Sequence, residues 1–352
     1  MNSSQSVDPW LGRTLGERQR YRLDQPLGEG GMGRVYLATD TLLGQSVALK
    51  LLKEKLTVGE LRQRFEREVT LYAALQSEHI VQVSDHGVTG EGYPFFVMEH
   101  LCGRTLGDLL KHEKCLSVER TVNIISQACM GLFRAHEGVY LSQNGSPSSE
   151  YVKVIHRDLK PDNIFLVPTA LGELVKVLDF GIAKLQSNQG VYTDTTGLFL
   201  GTYRYAAPEQ FEAETTLDER ADIYSLGMLL HEMLTGTDPF GFGQATRQMN
   251  GGAWAVAHVS KDPFPMRVYR GCEHLSPELE AIALRCLQKS PDQRFASVKE
   301  LSAALQVALG NMGDRAAAPR DPSIMNVPDP IYDTSTQANG ETTASSIQDV
   351  SD

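Results

Sequence analysis

The glycine-rich run Gly28-Glu29-Gly30-Gly31-Met32-Gly33 lies between two stretches of strand-like alternation, residues 21–27 and 35–38. That setting limits the fold more than any other feature. A Gly-x-Gly-x-x-Gly loop that joins a strand to a helix holds a dinucleotide at the helix N-terminus. Here a second strand follows, so the loop is expected to be a hairpin tip that folds over phosphates, its glycines letting the backbone approach without a Cβ clash. A turn at Leu43-Gly44-Gln45 leads into a third strand, 46–52, with Lys50 between Leu49 and Leu51.

Residues 59–75 carry helical periodicity, with Leu61, Phe65, Tyr72 and Leu75 on one face. Glu68 falls on that same face, nearly two turns from both Leu61 and Leu75. An unpaired carboxylate in an apolar site costs roughly several kcal/mol, so the helix is expected to meet a cation, and Lys50 is the one the pattern offers. An apolar strand, 94–98, then gives way to Glu99-His100-Leu101-Cys102-Gly103, which reads as a hinge. Helices follow at 105–111, 118–136, 221–234, 278–287 and 297–309, the last stopped by Gly310 as a C-terminal cap. The expected class is α+β: a small antiparallel-sheet lobe with one key helix, and a larger, mainly helical lobe.

His156-Arg157-Asp158-Leu159-Lys160-Pro161-Asp162-Asn163 supplies a carboxylate, a lysine two residues on and an amide; Asp179-Phe180-Gly181 adds a second carboxylate behind the apolar strand Val175-Lys176-Val177-Leu178. Asp158 is the candidate base, Lys160 balances charge on a moving phosphate, and Asn163 and Asp179 are oxygen ligands suited to Mg²⁺. With the glycine loop and Val47-Ala48-Leu49-Lys50, the set resembles a protein kinase, and Leu27-Gly28-Glu29-Gly30-Gly31-Met32-Gly33 and Leu234-Thr235-Gly236 resemble bacterial, eukaryotic-like (Hanks-type) serine/threonine kinases.

The resemblance runs from about residue 21 to about 309 and implies a two-lobed kinase fold that transfers the γ-phosphoryl group of ATP to protein Ser and Thr hydroxyls. Lys50 and Glu68 would form the pair that faces the α and β phosphates. It places ATP against Leu27, Gly28, Gly30, Gly33, Val35, Ala48, Lys50, Glu68, Met98, Glu99, Leu101, Asp162 and Asn163, with the adenine on the backbone of 99–101. The metal is implied to be Mg²⁺ on Asn163 and Asp179, with Mn²⁺ as a substitute. Phe180 is implied to pack on the helix bearing Glu68, and His156 to be structural. Residues 181–208, closed by Ala207-Pro208-Glu209, match an activation segment in which Thr193, Thr195 and Thr196 are the phosphosite candidates and Arg157 the partner of the phosphate. Glu209 is expected to tie to Arg294, and Asp222 to brace the loop of Asp158. Lys160 and Gly201-Thr202 favour serine/threonine over tyrosine.

The chain divides into a lead, 1–20, a kinase domain, 21–309 (N-lobe 21–98, hinge 99–103, C-lobe 104–309), and a polar tail, 310–352, expected to be disordered. A net charge of −11 argues against nucleic acid as partner. Five cysteines without a Cys-x-x-Cys pair argue for free, buried thiols in a reducing cytoplasm. No apolar run of about eighteen residues offers a membrane span. Protein substrates are the expected partners, with self-association for trans-autophosphorylation. Two other classes compete: a pseudokinase, against which Lys50, Glu68, Asp158, Asn163 and Asp179 all stand, and a small-molecule or lipid kinase, which has no need of a peptide-docking segment. Residues 142–149 read as a surface loop in an insertion of about a dozen residues relative to the family, and Trp254 reads as buried.

Overall fold

The computed structural model describes residues 8–31, 33–56, 59–142, 149–180, 203–212, 217–243 and 250–313. Its first lobe is a six-stranded antiparallel sheet in the order β1-β2-β3-β4-β6-β5, made by β1 (Thr14–Leu15), β2 (Tyr21–Glu29), β3 (Gly33–Asp40), β4 (Gln45–Leu52), then, beyond helix α1 (Gly59–Ala74), β5 (Val83–Val88) and β6 (Pro94–Glu99). Both faces of the central strands are covered. Leu49, Leu51, Phe95 and Val97 point to one side, where Leu15, Tyr21, Tyr36, Trp10 and Leu11 join them. Ala48, Leu52, Phe96 and Met98 point to the other, against Phe65, Val69, Tyr72 and Leu75 of α1. Burial on both faces is why β4 and β6 read as nearly continuous apolar runs rather than as clean alternation. Each such side chain removed from water contributes roughly 1.5–3 kcal/mol.

Residues 8–15 do more than lead into the domain. β1 pairs with β2, the Asp8 carboxylate accepts a hydrogen bond from the Tyr36 hydroxyl at 2.9 Å, and the Trp10 ring stands edge-on to Tyr93 at 5.6 Å. The lobe therefore begins before residue 21.

The second lobe starts with β7 (Arg104–Thr105), α2 (Leu106–Glu113) and α3 (Val118–His136), each helix opened by a side-chain cap: Thr105 accepts from the Asp108 amide and Ser117 from the Arg120 amide. A hairpin, β8 (Val139–Ser142) and β9 (Ser149–Val152), flanks the segment read as a surface loop and packs near α1; residues 143–148 of that segment lie outside the described residues. β10 (Ile164–Thr169) and β11 (Gly172–Val177) form a second hairpin that β7 extends. The helices α4 (Arg220–Thr235), α5 (Gly251–Ser260), α6 (Pro277–Cys286) and α7 (Val298–Gly313) complete the lobe. α5 explains the segment around Trp254: Asn250 caps it by accepting from the Ala253 amide at 2.9 Å, and Trp254 is buried against Phe240, Phe242 and His258.

Two expectations are corrected here. Gly310 does not end its helix; α7 runs through it to Gly313, since Leu301, Leu305 and Ala308 are buried and α7 packs on α3, which outweighs one glycine's propensity cost of about 1 kcal/mol. Of the cysteines, Cys129, Cys272 and Cys286 are buried and Cys115 is half-buried, but Cys102, within the hinge, is exposed.

Candidate active site

The link between the lobes, 99–105, is fastened to the β10–β11 hairpin. Arg104 and Thr105 pair with Leu166 and Phe165, and a Cβ on Gly103 would stand 2.1 Å from the Leu166 carbonyl oxygen, so only glycine allows this approach. The Glu99 carboxylate accepts from Lys176 Nζ at 2.7 Å and from the Gln82 amide at 2.8 Å. The same hairpin carries Asn163 just before β10 and Asp179 just after β11.

Between β9 and β10 runs the loop of Asp158. Its backbone is held by Asp222, near the N-terminus of α4, which accepts from the amides of His156 and Arg157, both at 2.9 Å, and from His136 Nε2 at 2.8 Å. Burial alone would push the Asp222 carboxyl up, but His136, His156 and the amide beside it hold it below the ordinary carboxylate value. Arg157 sits at φ +64°, a region that residues other than glycine rarely adopt, fixed on one side by Asp222 and on the other by Gln210, whose amide donates to the Arg157 carbonyl at 2.9 Å. Asp158 is thereby presented in one pose: Lys160 Nζ lies 2.9 Å from its Oδ2, and Asn163 Nδ2 donates to its carbonyl at 2.8 Å. His156 is fully buried, donates from Nε2 to the Leu178 carbonyl at 2.7 Å, and packs on Phe180 with ring centroids 4.7 Å apart.

The pairing expected of Lys50 differs. Lys50 Nζ, buried on the α1 side of β4, meets Asp179 Oδ2 at 2.6 Å, and no ion pair joins it to Glu68 among the described residues. A buried ammonium needs one close anion, and Asp179, turned inward at φ +50°, supplies it. Burial favours the protonated Asp179 carboxyl, but Lys50 reverses this and holds its pKa below the usual range. Glu68, half-buried, lies instead in the field of Arg157 and Arg67, and desolvation pushes its carboxyl up to about 7. Phe180 does pack on α1, its ring 5.4 Å from that of Tyr72.

The apolar residues proposed to face a nucleotide share one cluster: Ala48 and Met98 are buried in it, and Val35 and Leu101 pack against it. Leu27 is exposed, at 45 %. A Cβ on Gly33 would stand 2.4 Å from the Leu51 carbonyl oxygen, whereas at Gly28 and Gly30 it would meet nothing of the protein, leaving that backbone open to a ligand. Asp162 is exposed and lies against Gly107 in the first turn of α2. Met32, and residues 181–202 with Thr193, Thr195 and Thr196, lie outside the described residues.

A divalent metal fits the donor set. Asn163 spends its amide NH₂ on Asp158, leaving its carbonyl oxygen, and Lys50 engages one oxygen of Asp179, leaving the other; both are the hard oxygens such ions take. Farther away, Glu209 and Arg294 form the expected buried tie, with contacts of 2.6 and 2.8 Å. Sequence reasoning missed His136 and Gln210, whose roles depend on contacts made 86 and 53 residues away along the chain.

Residues 21–305 match the protein kinase domain family. The chain is 42% identical over 290 residues to serine/threonine-protein kinase A of Synechocystis sp., covering 81% of this chain and 52% of that protein. It is 38% identical over 290 residues to serine/threonine-protein kinase PknB of Mycolicibacterium smegmatis, covering 81% of this chain and 42% of that protein. The chain thus spans about half the length of the curated relatives it matches. Among solved structures, a kinase domain of Mycobacterium tuberculosis PknI aligns with TM-score 0.59 and 25% identity, over 83% of this chain and 96% of that one.

Proposed function

Because this chain belongs to the protein kinase family, we propose that it transfers the γ-phosphoryl group of ATP to serine and threonine hydroxyls of proteins. The observation that carries the reading is the fixed pose of Asp158, oriented by Lys160 and Asn163 on a loop braced by Asp222.

Asp158 accepts the proton of the substrate hydroxyl as that oxygen bonds to the γ-phosphorus and the bond to the ADP oxygen breaks. Lys160 Nζ stays near the charge that moves from hydroxyl to phosphoryl group. Lys50 holds nucleotide phosphate once it leaves Asp179 for Glu68, and the glycine loop covers the phosphates with backbone amides. Asn163 and Asp179 hold the metal, which neutralises phosphate charge when bound; Mg²⁺ is the ion we assign, with Mn²⁺ as a substitute. Val35, Ala48, Met98 and Leu101 form the apolar walls for the base, and the backbone of 99–101 its polar edge.

The proposed partners are protein substrates and a second copy of the chain for trans-autophosphorylation at Thr193, Thr195 or Thr196; no nucleic-acid partner is proposed. No described helix is long and apolar enough to cross a membrane, and a cytoplasmic location is part of the proposal.

The test is incubation with radiolabelled ATP and Mg²⁺, alongside Asp158→Asn and Lys50→Met. Label on Ser or Thr in the wild type alone is expected. Equal label in Asp158→Asn overturns the role given to Asp158, and a silent wild type overturns the activity.

A further inference from the structure

The stem of the glycine-rich tip is irregular. Pairing of β2 with β3 slips twice, between Leu23 and Gln25 and between Pro26 and Gly28, before Glu29 faces Arg34 and the Gly30 amide donates to the Gly33 carbonyl at 2.9 Å. Each slip leaves a residue outside the ladder and sharpens the local twist, so backbone pairing alone sets the tip loosely. Side chains add a second tie. Arg34 Nε donates to Glu29 Oε2 at 2.9 Å, and Lys53 Nζ, just beyond β4, lies 2.9 Å from Glu29 Oε1. These three side chains reach solvent, and an exposed ion pair by itself contributes little.

A better-held charge completes the line, and it comes from ahead of residue 21, where the kinase match begins. Asp8, whose carboxyl is 16 % exposed, accepts from Arg34 Nη1 at 3.3 Å and from the Tyr36 hydroxyl at 2.9 Å on one oxygen, and from the Trp10 amide at 2.9 Å on the other. Tyr36 is fully buried; burial first, then the Asp8 carboxylate, push its hydroxyl up to about 12, so it remains a donor at neutral pH. Asp8 is thus a fixed anion that holds the guanidinium from behind. Arg34 and Tyr36 share one face of β3, opposite to Val35, which packs against the cluster of Ala48 and Met98. Asp8 therefore stands on the far side of the sheet from the walls assigned to the base, and can act on the phosphates only through Arg34 and Glu29.

We propose that Asp8 is a positioning residue for the phosphates of the nucleotide: the alternating line Asp8, Arg34, Glu29, Lys53 fastens the glycine-rich tip to the lead and to β4 and holds its backbone amides over the phosphate oxygens. The lead, which the kinase match leaves out, thereby sets affinity for the phosphate-bearing part of ATP and leaves the base and the transfer step alone. The inference rests on the phosphotransfer reading only in taking ATP as the ligand.

The test is Asp8→Asn in the full chain, which keeps an acceptor for Tyr36 and Trp10 and removes the charge that faces Arg34. Calorimetry is expected to find the Kd for ATP with Mg²⁺ raised about fivefold, the upper end for one partly exposed ion pair, with that for adenosine unchanged. KM for ATP rises in parallel at unchanged kcat. Arg34→Met is expected to weaken ATP alike, and adding Asp8→Asn to it to change nothing further, because the link is already cut. Wild-type affinity for ATP in Asp8→Asn overturns the inference. So does equal weakening of ATP and adenosine, which marks a loosened lobe, and so do additive effects in the double variant, which mean that Asp8 does not act through Arg34. If Asp8→Asn does not fold, Arg34→Met decides by the ratio of its two affinities. Binding is read without turnover, so a wild type that binds ATP but transfers no phosphate fails the activity reading, and Asp8 is judged on binding alone.

Discussion

Arg294→Met is the substitution whose cost the structure defines best. The guanidinium is completely buried and pairs with both oxygens of Glu209, at 2.6 and 2.8 Å. It also donates to the carbonyls of Gln288, Lys289 and Arg220 at 2.8, 2.9 and 2.9 Å, and lies over the Tyr224 ring. Methionine fills much of the volume but leaves a 7 % exposed carboxylate with no cation. Breaking a buried pair from one side costs about 3–5 kcal/mol, and the stranded carbonyls add to it. Against a total stability of roughly 5–15 kcal/mol, that brings the lobe near unfolding. Urea denaturation at 25 °C measures the loss as a shift in midpoint at unchanged slope. The double variant Glu209→Gln, Arg294→Met is expected to recover about 1–2 kcal/mol of it, because an amide is less costly to bury than a lone carboxylate. A loss under about 1 kcal/mol for Arg294→Met, or a double variant as unstable as the sum of the singles, refutes the argument.

Other substitutions probe the site. Glu68 keeps its proton in the folded protein up to a pKa of about 7, whereas the unfolded chain releases it near the ordinary 4.5. The stability this lends is fully present below pH 4.5 and is lost as pH rises through 7, so Glu68→Gln should flatten the wild type's decline by about 1–2 kcal/mol once solvent screening is allowed for; parallel melting-temperature profiles for both proteins refute it. Asp222→Asn removes the charge that receives the His156 and Arg157 amides, and is expected to lower kcat more than tenfold and stability by about 2 kcal/mol, read by single-turnover kinetics and denaturation. Gly33→Ala forces a methyl group against the Leu51 carbonyl oxygen, and calorimetry should find weaker ATP binding with about 1–3 kcal/mol less stability.

Much of this architecture is legible in the chain because its signals are local. The strands around the glycine loop, the helix bearing Glu68 and the segment 118–136 all follow from spacing of two or of three to four residues. Other features depend on which of several adequate partners wins. A buried Lys50 demands an anion, but nothing in the sequence decides between Glu68 and Asp179, each of which satisfies the demand. The two-residue strand Thr14–Leu15 is too short to carry any period, and is held by its neighbour instead. α5 escaped through its paired glycines, although Asn250 before Ala253-Trp254-Ala255-Val256 was an available capping signal. His136 and Gln210 became visible only when folding brought them to Asp222 and Arg157.

The strand Thr14–Leu15 has a consequence for the border of the sheet. It pairs with the start of β2, which would otherwise be the open border of a five-stranded sheet, and Trp10 and Leu11 pack against the apolar cluster behind it. A free β border with an apolar flank is a template on which another chain can add its own strand. A polypeptide trimmed to begin at Tyr21, where the kinase match begins, would keep every residue of the proposed chemistry and lose this guard. Its expected failure is aggregation at the sheet's margin rather than loss of turnover per folded molecule.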